Sequence, residues 1–442
     1  MAAPAQTSSD PGSDRVELRH YAFLGLLTLL NVMNFVDRNA LPAFANFIVP
    51  DLGLSATDFS YLTGIFFTFF YATAGLFTGM LADIFHRPRL IAAGLGIWSV
   101  LTAATGAATS FGSIAVPRLL IGVGESVLSP TAMSLLADRF PASRLGFASG
   151  VYYMGVPLGI GLSLLITGYL GPAIGWRYCF YLLGAIGVAF ALLMLFVKET
   201  PRRTPTSAQP AARRQSVGEI VRTLGSALAS SPALVCTMAG GVVFHFILGA
   251  GAFDQLWLAT ERGFEKAEIA RIGGWIALSG GVMGNLLGGL GSDWFLRRTG
   301  MGRPMFLALL LVLFAPFGFA YRLAAPDSAW FWAGMFAGSV QLGMFYGPTF
   351  SSVQELVPPN IRATVVGFYI MLLNVVGLGV GNTGTGMLVD RVQAAGGSDG
   401  YSQAMVLFTA VSLLALPLFA YAGRRFARDR DALYAKLASG TE

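Results

Sequence analysis

The stretch GMLADIFHRPR at residues 79–89 follows one long apolar segment, and the similar stretch GLGSDWFLRR at residues 289–298 follows another. This repeat aligns Asp83 with Asp293 and Arg87 with Arg297. A second repeat aligns SPTAMSLLADRFPASR, which ends at Arg144, with GPTFSSVQELVPPNIR, which ends at Arg362. Both repeats run in the same direction along the chain. They predict two similar halves related as parallel repeats.

The composition is that of a membrane protein. Hydrophobic residues make up 55% of the 442 residues and charged residues only 12%, and the mean hydropathy is +0.64. Apolar segments of about 20 residues or more, each long enough to cross a bilayer, recur along the chain. They predict an all-α membrane protein with 12 transmembrane helices, six in each half. The basic residues lie in short loops and form no basic face with interleaved aromatic residues, so no nucleic-acid partner is expected.

A polar segment divides the chain. Residues 198–231 are rich in Pro, Ser, Thr and Arg and are predicted to form a cytoplasmic linker with a short amphipathic stretch at 217–229. The linker separates an amino-terminal half at 20–197 from a carboxy-terminal half at 232–426. Residues 1–19 are predicted to be a disordered cytoplasmic tail, and residues 427–442 a second cytoplasmic tail.

The basic residues also orient the chain. Most of the 29 Lys and Arg residues fall in the tails and in loops on the side of the termini. Because loops rich in Lys and Arg remain in the cytoplasm, both termini are predicted to be cytoplasmic. The first 18 residues lack the apolar core of a signal peptide. We therefore expect an integral protein of the bacterial inner membrane.

Ionisable residues occur at membrane depth in two places. Asp37 and Arg38 lie within MNFVDRNA, and Arg118 and Glu125 lie within PRLLIGVGES. Such residues are costly in a bilayer and usually mark an ion or substrate path, although a structural ion pair is the alternative. Counted along their helices, Asp37 lies about 15 Å and Glu125 about 20 Å from the same membrane face. Both depths fall near the middle of the bilayer, so the two helices are expected to bring these groups together.

The stretch from Gly79 through Asp83 to Arg87 resembles the loop signature of the major facilitator superfamily, and PRLLIGVGE resembles that family's fourth-helix signature. The resemblance implies the major facilitator fold. Asp83, at the end of helix 2, is predicted to pair with an arginine of the other half and so to latch the cytoplasmic side. The remaining candidates for this gate are Asp293, Arg139, Arg144 and Arg362.

Asp37-Arg38, GVGES at 122–126, PTAMSLLADRF at 130–140 and MGVPLGIGLSLLITGYL at 154–170 together resemble the spinster group of lipid transporters. The resemblance implies that Arg38, with Arg118, attracts an anionic headgroup or holds the carboxylates as a charge relay. Asp37 and Glu125 are then the protonatable pair. Burial disfavours a charged glutamate at mid-depth while a nearby arginine favours it, so loss of the arginine contact gives a route to proton uptake.

The carboxy-terminal half offers fewer ionisable groups. His245 is alone, and a solitary histidine is more often structural than a proton carrier. The polar residues at helix depth that could complete a cavity are Gln341, Tyr346, Asn374 and Asn382. One charged half and one apolar half would suit a lipid with an ionic head.

The sequence contains no metal-ligand spacing, phosphate loop or nucleophile elbow, so neither an enzyme nor a cofactor or metal is expected. The leading hypothesis is a monomeric, proton-coupled transporter of lysophospholipid-like or sphingosine-phosphate-like anions. A symporter of small organic anions such as sugar acids is the alternative, and a receptor-like or scaffolding protein on a transporter fold is a third possibility. The expected partners are the lipid or organic-anion substrate, protons and membrane lipids.

Overall fold

The computed structural model of the chain describes residues 18–202, 217–358 and 361–439, and these residues form helices and connecting loops without any strand. Seven helical stretches within them are long and apolar enough to cross a membrane by length and composition, and one of these stretches, at 144–195, contains two helices. The molecule has the predicted fold, with 12 transmembrane helices in two halves of six. Of the predicted tail at 1–19, residues 1–17 lie outside the described residues, and the last two residues already belong to the first helix, which begins at Leu18.

The first six membrane helices form the amino-terminal half. Helix 1 is Leu18–Ala43 with Ala45–Asp51, helix 2 is Ala56–Thr63 with Ile65–Ile84, helix 3 is Arg87–Gly106, helix 4 is Phe111–Glu125 with Leu128–Arg139, and helix 5 begins with Ala142–Tyr153. Helix 5 continues into the segment Gly155–Leu195, which also contains helix 6. Gly175 separates the two helices with a φ of 80°, a backbone conformation that favours glycine.

The other six helices form the carboxy-terminal half. Helix 7 is Pro232–Ala250 with Asp254–Thr260, helix 8 is Lys266–Thr299, helix 9 is Arg303–Leu323, helix 10 is Ala329–Glu355, helix 11 is Arg362–Met371 with Gly379–Ala394, and helix 12 is Gly400–Ser412 with Ala415–Ser439. Leu372–Leu378 is a π-helical turn inside helix 11. Helix 12 therefore continues through most of the segment predicted as a tail.

A linker helix, Val217–Ser230, lies where the amphipathic stretch was predicted. Its Ala227 is buried, and Leu224 and Leu228 pack against the carboxy-terminal half. Arg222 and Ser226 are exposed on the helix. The part of the linker at 203–216 lies outside the described residues.

The structure corrects one detail of the sequence repeat. Helix 3 begins with Arg87 and helix 9 begins with Arg303, and each arginine is followed by a proline in the first turn. The counterpart of Arg87 is therefore Arg303 and not Arg297, which lies in the last turn of helix 8. The alignment was wrong here because the connection between helices 8 and 9 is longer than that between helices 2 and 3.

We call the face where helix 1 begins and helix 12 ends the terminal face, and the other side the opposite face. Helix 5 of one half packs on helix 8 of the other along a glycine seam, defined by Gly161, Gly168, Gly274 and Gly281. A Cβ atom added to Gly168 would lie 2.8 Å from the carbonyl oxygen of Ala267. Close backbone packing of this kind is how membrane helices associate without a hydrophobic driving force.

The described hydrogen bonds between the halves lie toward the opposite face. The Asp390 carboxylate, at the end of helix 11, accepts hydrogen bonds from the backbone N–H groups of Ala56 (3.0 Å) and Thr57 (2.9 Å) at the start of helix 2. The Asn46 amide donates to the carbonyl oxygen of Gln255 at 2.7 Å. In this structure the halves are therefore fastened together from the opposite face.

Candidate functional site

Arg38 of helix 1 and Glu125 of helix 4 form an ion pair between the two helices. Arg38 Nε lies 3.2 Å from Glu125 Oε2. The Glu125 side chain is fully buried, whereas 18% of the Arg38 side chain is exposed. Glu125 Oε1 has no hydrogen-bond partner among the described residues. The buried carboxylate thus depends on an arginine that remains accessible from one side.

Aromatic rings surround the Arg38 guanidinium. Its central carbon lies 4.4 Å from the ring centre of Tyr71, 4.8 Å from that of Phe67 and 5.1 Å from that of Phe35. Cation–π contacts of this kind are worth about 2 kcal/mol when desolvated. Phe67 and Tyr71 could not be identified from the sequence, because nothing distinguishes them from the other aromatic residues of helix 2.

Asp37 points away from its neighbour Arg38. The indole Nε1 of Trp98, in helix 3, donates a hydrogen bond to Asp37 Oδ2 at 3.0 Å. Asp37 is buried, and its Oδ1 has no partner among the described residues. Asp37 and Glu125 interact electrostatically, so the charge state of either carboxylate affects the other.

Arg118, predicted to act with Arg38, binds backbone carbonyl oxygens and also interacts electrostatically with Glu125 and Asp37. Its Nε donates to the carbonyl oxygen of Leu62 at 3.0 Å, and its Nη2 donates to the carbonyl oxygen of Arg38 at 3.0 Å. Arg118 is only 3% exposed. These bonds tie helix 4 to helices 1 and 2, so Arg118 supports the backbone that presents Arg38.

The polar residues predicted to line a cavity have different surroundings and do not form one cluster. Tyr346 is half-buried and interacts electrostatically with Arg38 across the halves. The hydroxyl of Tyr346 contacts buried His245. Gln341 lies beside the apolar rings of helices 7 and 10, and the Asn374 amide donates to the carbonyl oxygen of Ile370. Of these residues, Tyr346 lies within electrostatic range of Arg38, and His245 lies beside its hydroxyl.

Asn382 belongs to the closure of the opposite face. Its amide donates to the Thr63 hydroxyl of helix 2 at 3.0 Å. An added Cβ on Gly64, next in helix 2, would lie 3.3 Å from the same amide nitrogen. Asn382 therefore joins Asp390 in fastening helix 11 to helix 2.

The predicted gate residues form clusters within each half. The buried Arg87 binds Glu199 Oε1 at 2.9 Å and Asp138 Oδ2 at 2.5 Å. In the other half Arg303 binds Asp293 at 2.8 Å and also pairs with Glu355. These two clusters occupy corresponding ends of helices 3 and 9.

The remaining gate residues also contact their own half. Arg139 donates to the Thr200 hydroxyl at 2.7 Å, and Arg144 donates to the Tyr21 hydroxyl at 2.6 Å. Arg362 begins helix 11, and its Nε has no hydrogen-bond partner in the described part of the chain. Gly79 and Asp83 lie in helix 2, and the Asp83 side chain lies outside the described set. The latch across the halves stays a prediction for another conformation.

The sequence is similar to those of several transporters. It is 29% identical over 401 residues to the hexuronate transporter of Bacillus subtilis, covering 88% of this chain and 92% of the relative. It is 28% identical over 437 residues to an MFS-type efflux pump of Mycolicibacterium smegmatis, covering 97% and 99%. It is 23% identical over 420 residues to a probable sphingolipid transporter, spinster homolog 1, of Arabidopsis thaliana, covering 85% and 84%.

The fold is similar to that of solved transporters. The crystal structure of a bacterial homolog to the human lysosomal transporter spinster, in an inward-facing and unoccupied conformation, superposes with a TM-score of 0.80 at 24% identity. The match covers 94% of this chain and 99% of that one. The model of the Major Facilitator Superfamily matches residues 27–382. The chain therefore belongs to the Major Facilitator Superfamily and is a membrane transporter, not an enzyme.

Proposed function

We propose that the chain is a proton-coupled secondary transporter that moves an amphipathic organic anion by alternating access. The observation that carries the proposal is the pairing of a partly exposed arginine, Arg38, with the fully buried carboxylate of Glu125. Arg38 binds the anionic headgroup of the substrate, and Glu125 carries the coupled proton.

The coupling follows from competition for one arginine. A substrate anion that binds Arg38 draws the guanidinium away from Glu125. Glu125 Oε1 already lacks a hydrogen-bond partner among the described residues, so the carboxylate would then lose its direct ion pair and keep only its electrostatic interaction with Arg118. An unpaired buried charge costs several kcal/mol, and taking up a proton removes that cost. Anion binding is therefore accompanied by proton uptake, with Asp37 as a second, electrostatically linked carboxylate.

Two features favour a substrate with an apolar part. Aromatic rings from helices 1 and 2 surround the arginine, so the region beside the charge is largely apolar. The ring of Tyr346 stacks on that of Phe350 with their centres 6.2 Å apart, on the side of the other half. The similarity to a probable sphingolipid transporter is consistent with a lysophospholipid-like or sphingosine-phosphate-like anion.

The second candidate is a proton-coupled symporter of small organic anions such as sugar acids. The observation in its favour is the similarity to a hexuronate transporter, which covers most of both chains. An arginine paired with a carboxylate would serve a sugar acid equally well. The two candidates differ in whether an apolar tail contributes to binding.

A binding and proton-uptake experiment separates the candidates. A fluorescent lysophosphatidate is bound to the purified protein in nanodiscs, and unlabelled lysophosphatidate or glucuronate is added as competitor. We expect the lysolipid to displace the probe at concentrations where glucuronate has no effect. Proton uptake is followed with a pH dye in weak buffer, and we expect it in the wild type but not in Glu125→Gln.

Three results would contradict the proposal in different ways. Displacement by glucuronate at equal concentrations would favour the sugar-acid candidate. Lysolipid binding without proton uptake in the wild type would refute coupling through Glu125. If neither ligand binds, Arg38 is a structural charge and the substrate belongs to another class.

We also propose that the protein acts as a monomer in the bacterial inner membrane with its terminal face toward the cytoplasm. The excess of Lys and Arg residues in the loops of that face supports this orientation. Single cysteines placed at the exposed residues Thr109 and Arg298, on the two faces, test it in intact cells. A membrane-impermeant thiol reagent should label the first position and leave the second unlabelled.

A further inference from the structure

The carboxy-terminal half presents its own polar pair toward Arg38. The Tyr346 hydroxyl, on helix 10, lies 3.5 Å from Nε2 of His245 on helix 7, and the two rings meet edge to face with centres 5.8 Å apart. Tyr346 is half-buried and interacts electrostatically with Arg38. The pair therefore belongs to the other half and lies within electrostatic range of the anion-binding arginine.

The contacts of His245 fix the direction of this hydrogen bond. Its Nδ1 lies 2.9 Å from the carbonyl oxygen of Gly241. A carbonyl oxygen only accepts hydrogen bonds, so Nδ1 carries the proton and Nε2 of the neutral ring is an acceptor. The Tyr346 hydroxyl must then donate to Nε2, and its oxygen keeps lone pairs for a second partner.

The histidine is held rigidly in this orientation. His245 is 2% exposed. The π-helical turn of helix 11 packs directly on it, and a Cβ added to Gly377 would lie 2.5 Å from the His245 Cβ. Phe345 contacts the imidazole at a ring distance of 5.1 Å. A side chain fixed on three sides is suited to orient the hydroxyl of its neighbour.

We propose that Tyr346, positioned by His245, determines specificity by accepting a hydrogen bond from a donor group of the substrate. The donor is a hydroxyl or ammonium group adjacent to the anionic group that Arg38 binds. The inference rests on the proposed function and narrows it, because the substrate must carry an anion and a donor close together. A substrate bound in this way bridges the two halves at mid-depth.

The test compares two ligands that differ only in the donor. Binding of a lysophosphatidate with its free glycerol hydroxyl, and of the analogue with hydrogen in that position, is measured in nanodiscs. The wild type is expected to prefer the hydroxyl compound by about tenfold, which corresponds to one hydrogen bond of about 1.4 kcal/mol. Tyr346→Phe is expected to bind both ligands equally, at the affinity of the analogue.

Tyr369→Phe is the matched control. Tyr369 is also a tyrosine of the carboxy-terminal half, but it is fully buried, and its hydroxyl has no hydrogen-bond partner among the described residues. This variant should keep the tenfold preference of the wild type. If Tyr346→Phe keeps that preference too, or if the wild type has none, the inference is overturned. Absence of binding by either ligand to the wild type would instead refute the proposed function.

A double-mutant cycle tests the positioning role of His245. If the imidazole acts only through the Tyr346 hydroxyl, His245→Phe should lower the preference for the hydroxyl compound, and adding it to Tyr346→Phe should change nothing further. His245→Gln keeps an acceptor and should retain part of the preference. Additive losses in the double variant would show that His245 acts independently, which contradicts the positioning role.

Discussion

Asp390 offers a direct test of how the closed opposite face is held. Its carboxylate accepts hydrogen bonds from Ala56 and Thr57 at 3.0 and 2.9 Å, across the boundary between the halves. The two backbone N–H groups belong to the first turn of helix 2, where the helix dipole also favours a negative charge. Because both bonds join one half to the other, they must break when this face opens.

The expected change in the free energy of opening follows from the hydrogen bonds that each substitution of Asp390 removes. A side chain that caps a helix start usually contributes about 1 kcal/mol and at most about 2 kcal/mol. Asp390→Asn keeps one acceptor oxygen and loses the charge, so we expect it to favour opening by about 1 kcal/mol, or about fivefold. Asp390→Ala removes both acceptors and should favour opening by about 2 kcal/mol, or about 30-fold.

Electron–electron distance measurements between spin labels can detect the shift. The labels are placed at Thr109 and Ala325, exposed loop residues of the two halves on the opposite face, after replacement of Cys179 and Cys236. We expect the population of long distances to grow from wild type to Asn to Ala.

Asp399→Asn is the matched control for this experiment. Asp399 is an exposed acid on the same face, and its side chain accepts a hydrogen bond from Gln403 of its own half. If Asp390→Ala gives the same distance distribution as Asp399→Asn and the wild type, the Asp390 contact does not hold the closure and our reasoning is refuted.

Four further substitutions have distinct expected outcomes. Glu125→Gln should remove the pH dependence of substrate binding while the protein still folds, and a pH dependence equal to that of the wild type would exclude Glu125 as the coupling residue. Arg38→Ala should abolish anion binding, and it should lower the free energy of unfolding by on the order of 3 kcal/mol because Glu125 loses its ion-pair partner. The double variant Arg38→Ala with Glu125→Gln should recover thermal stability but not anion binding. Recovery of anion binding in the double variant would contradict the headgroup role of Arg38. Trp98→Phe leaves Asp37 without its described hydrogen bond and should lower stability by about 1–3 kcal/mol, which an unchanged melting temperature would disprove. Asp83→Asn should favour opening of the terminal face in label distances across it, and unaltered distances at neutral and acidic pH would remove Asp83 from the latch.

The meeting of helices 1 and 4 at mid-depth could be predicted from the sequence because helix geometry is regular. Counting residues from a common face placed Asp37 and Glu125 at similar depth, and in the structure Arg38, the neighbour of Asp37, lies 3.2 Å from Glu125. The role of Arg118 could not be predicted in the same way. Residues 118 and 125 are two turns apart on one helix face, but the carbonyl oxygens that Arg118 binds belong to helices 1 and 2, whose register the sequence does not reveal.

Contacts between distant segments account for the other omissions. Asp390 and Thr57 are 333 residues apart, and no local pattern links a helix end to the start of another helix. The repeat predicted the two halves correctly, but it aligned Arg87 with Arg297 because both follow an aspartate at the same spacing. Only the helix starts show that Arg303 corresponds to Arg87. Sequence repeats therefore predict the architecture better than they predict which charges correspond.

The glycine seam between helices 5 and 8 makes the transport cycle sensitive to the surrounding lipid. At Gly161 and Gly274 the absence of a side chain lets the two helices approach closely, with Leu278 packed on Gly161 and Leu165 packed on Gly274. In a bilayer, the alternative to this contact is contact of each helix with acyl chains, which are equally apolar. The free energy of rocking is then a small difference between helix–helix and helix–lipid packing. Acyl-chain length and saturation should therefore shift the balance between conformations even when substrate and pH are held constant.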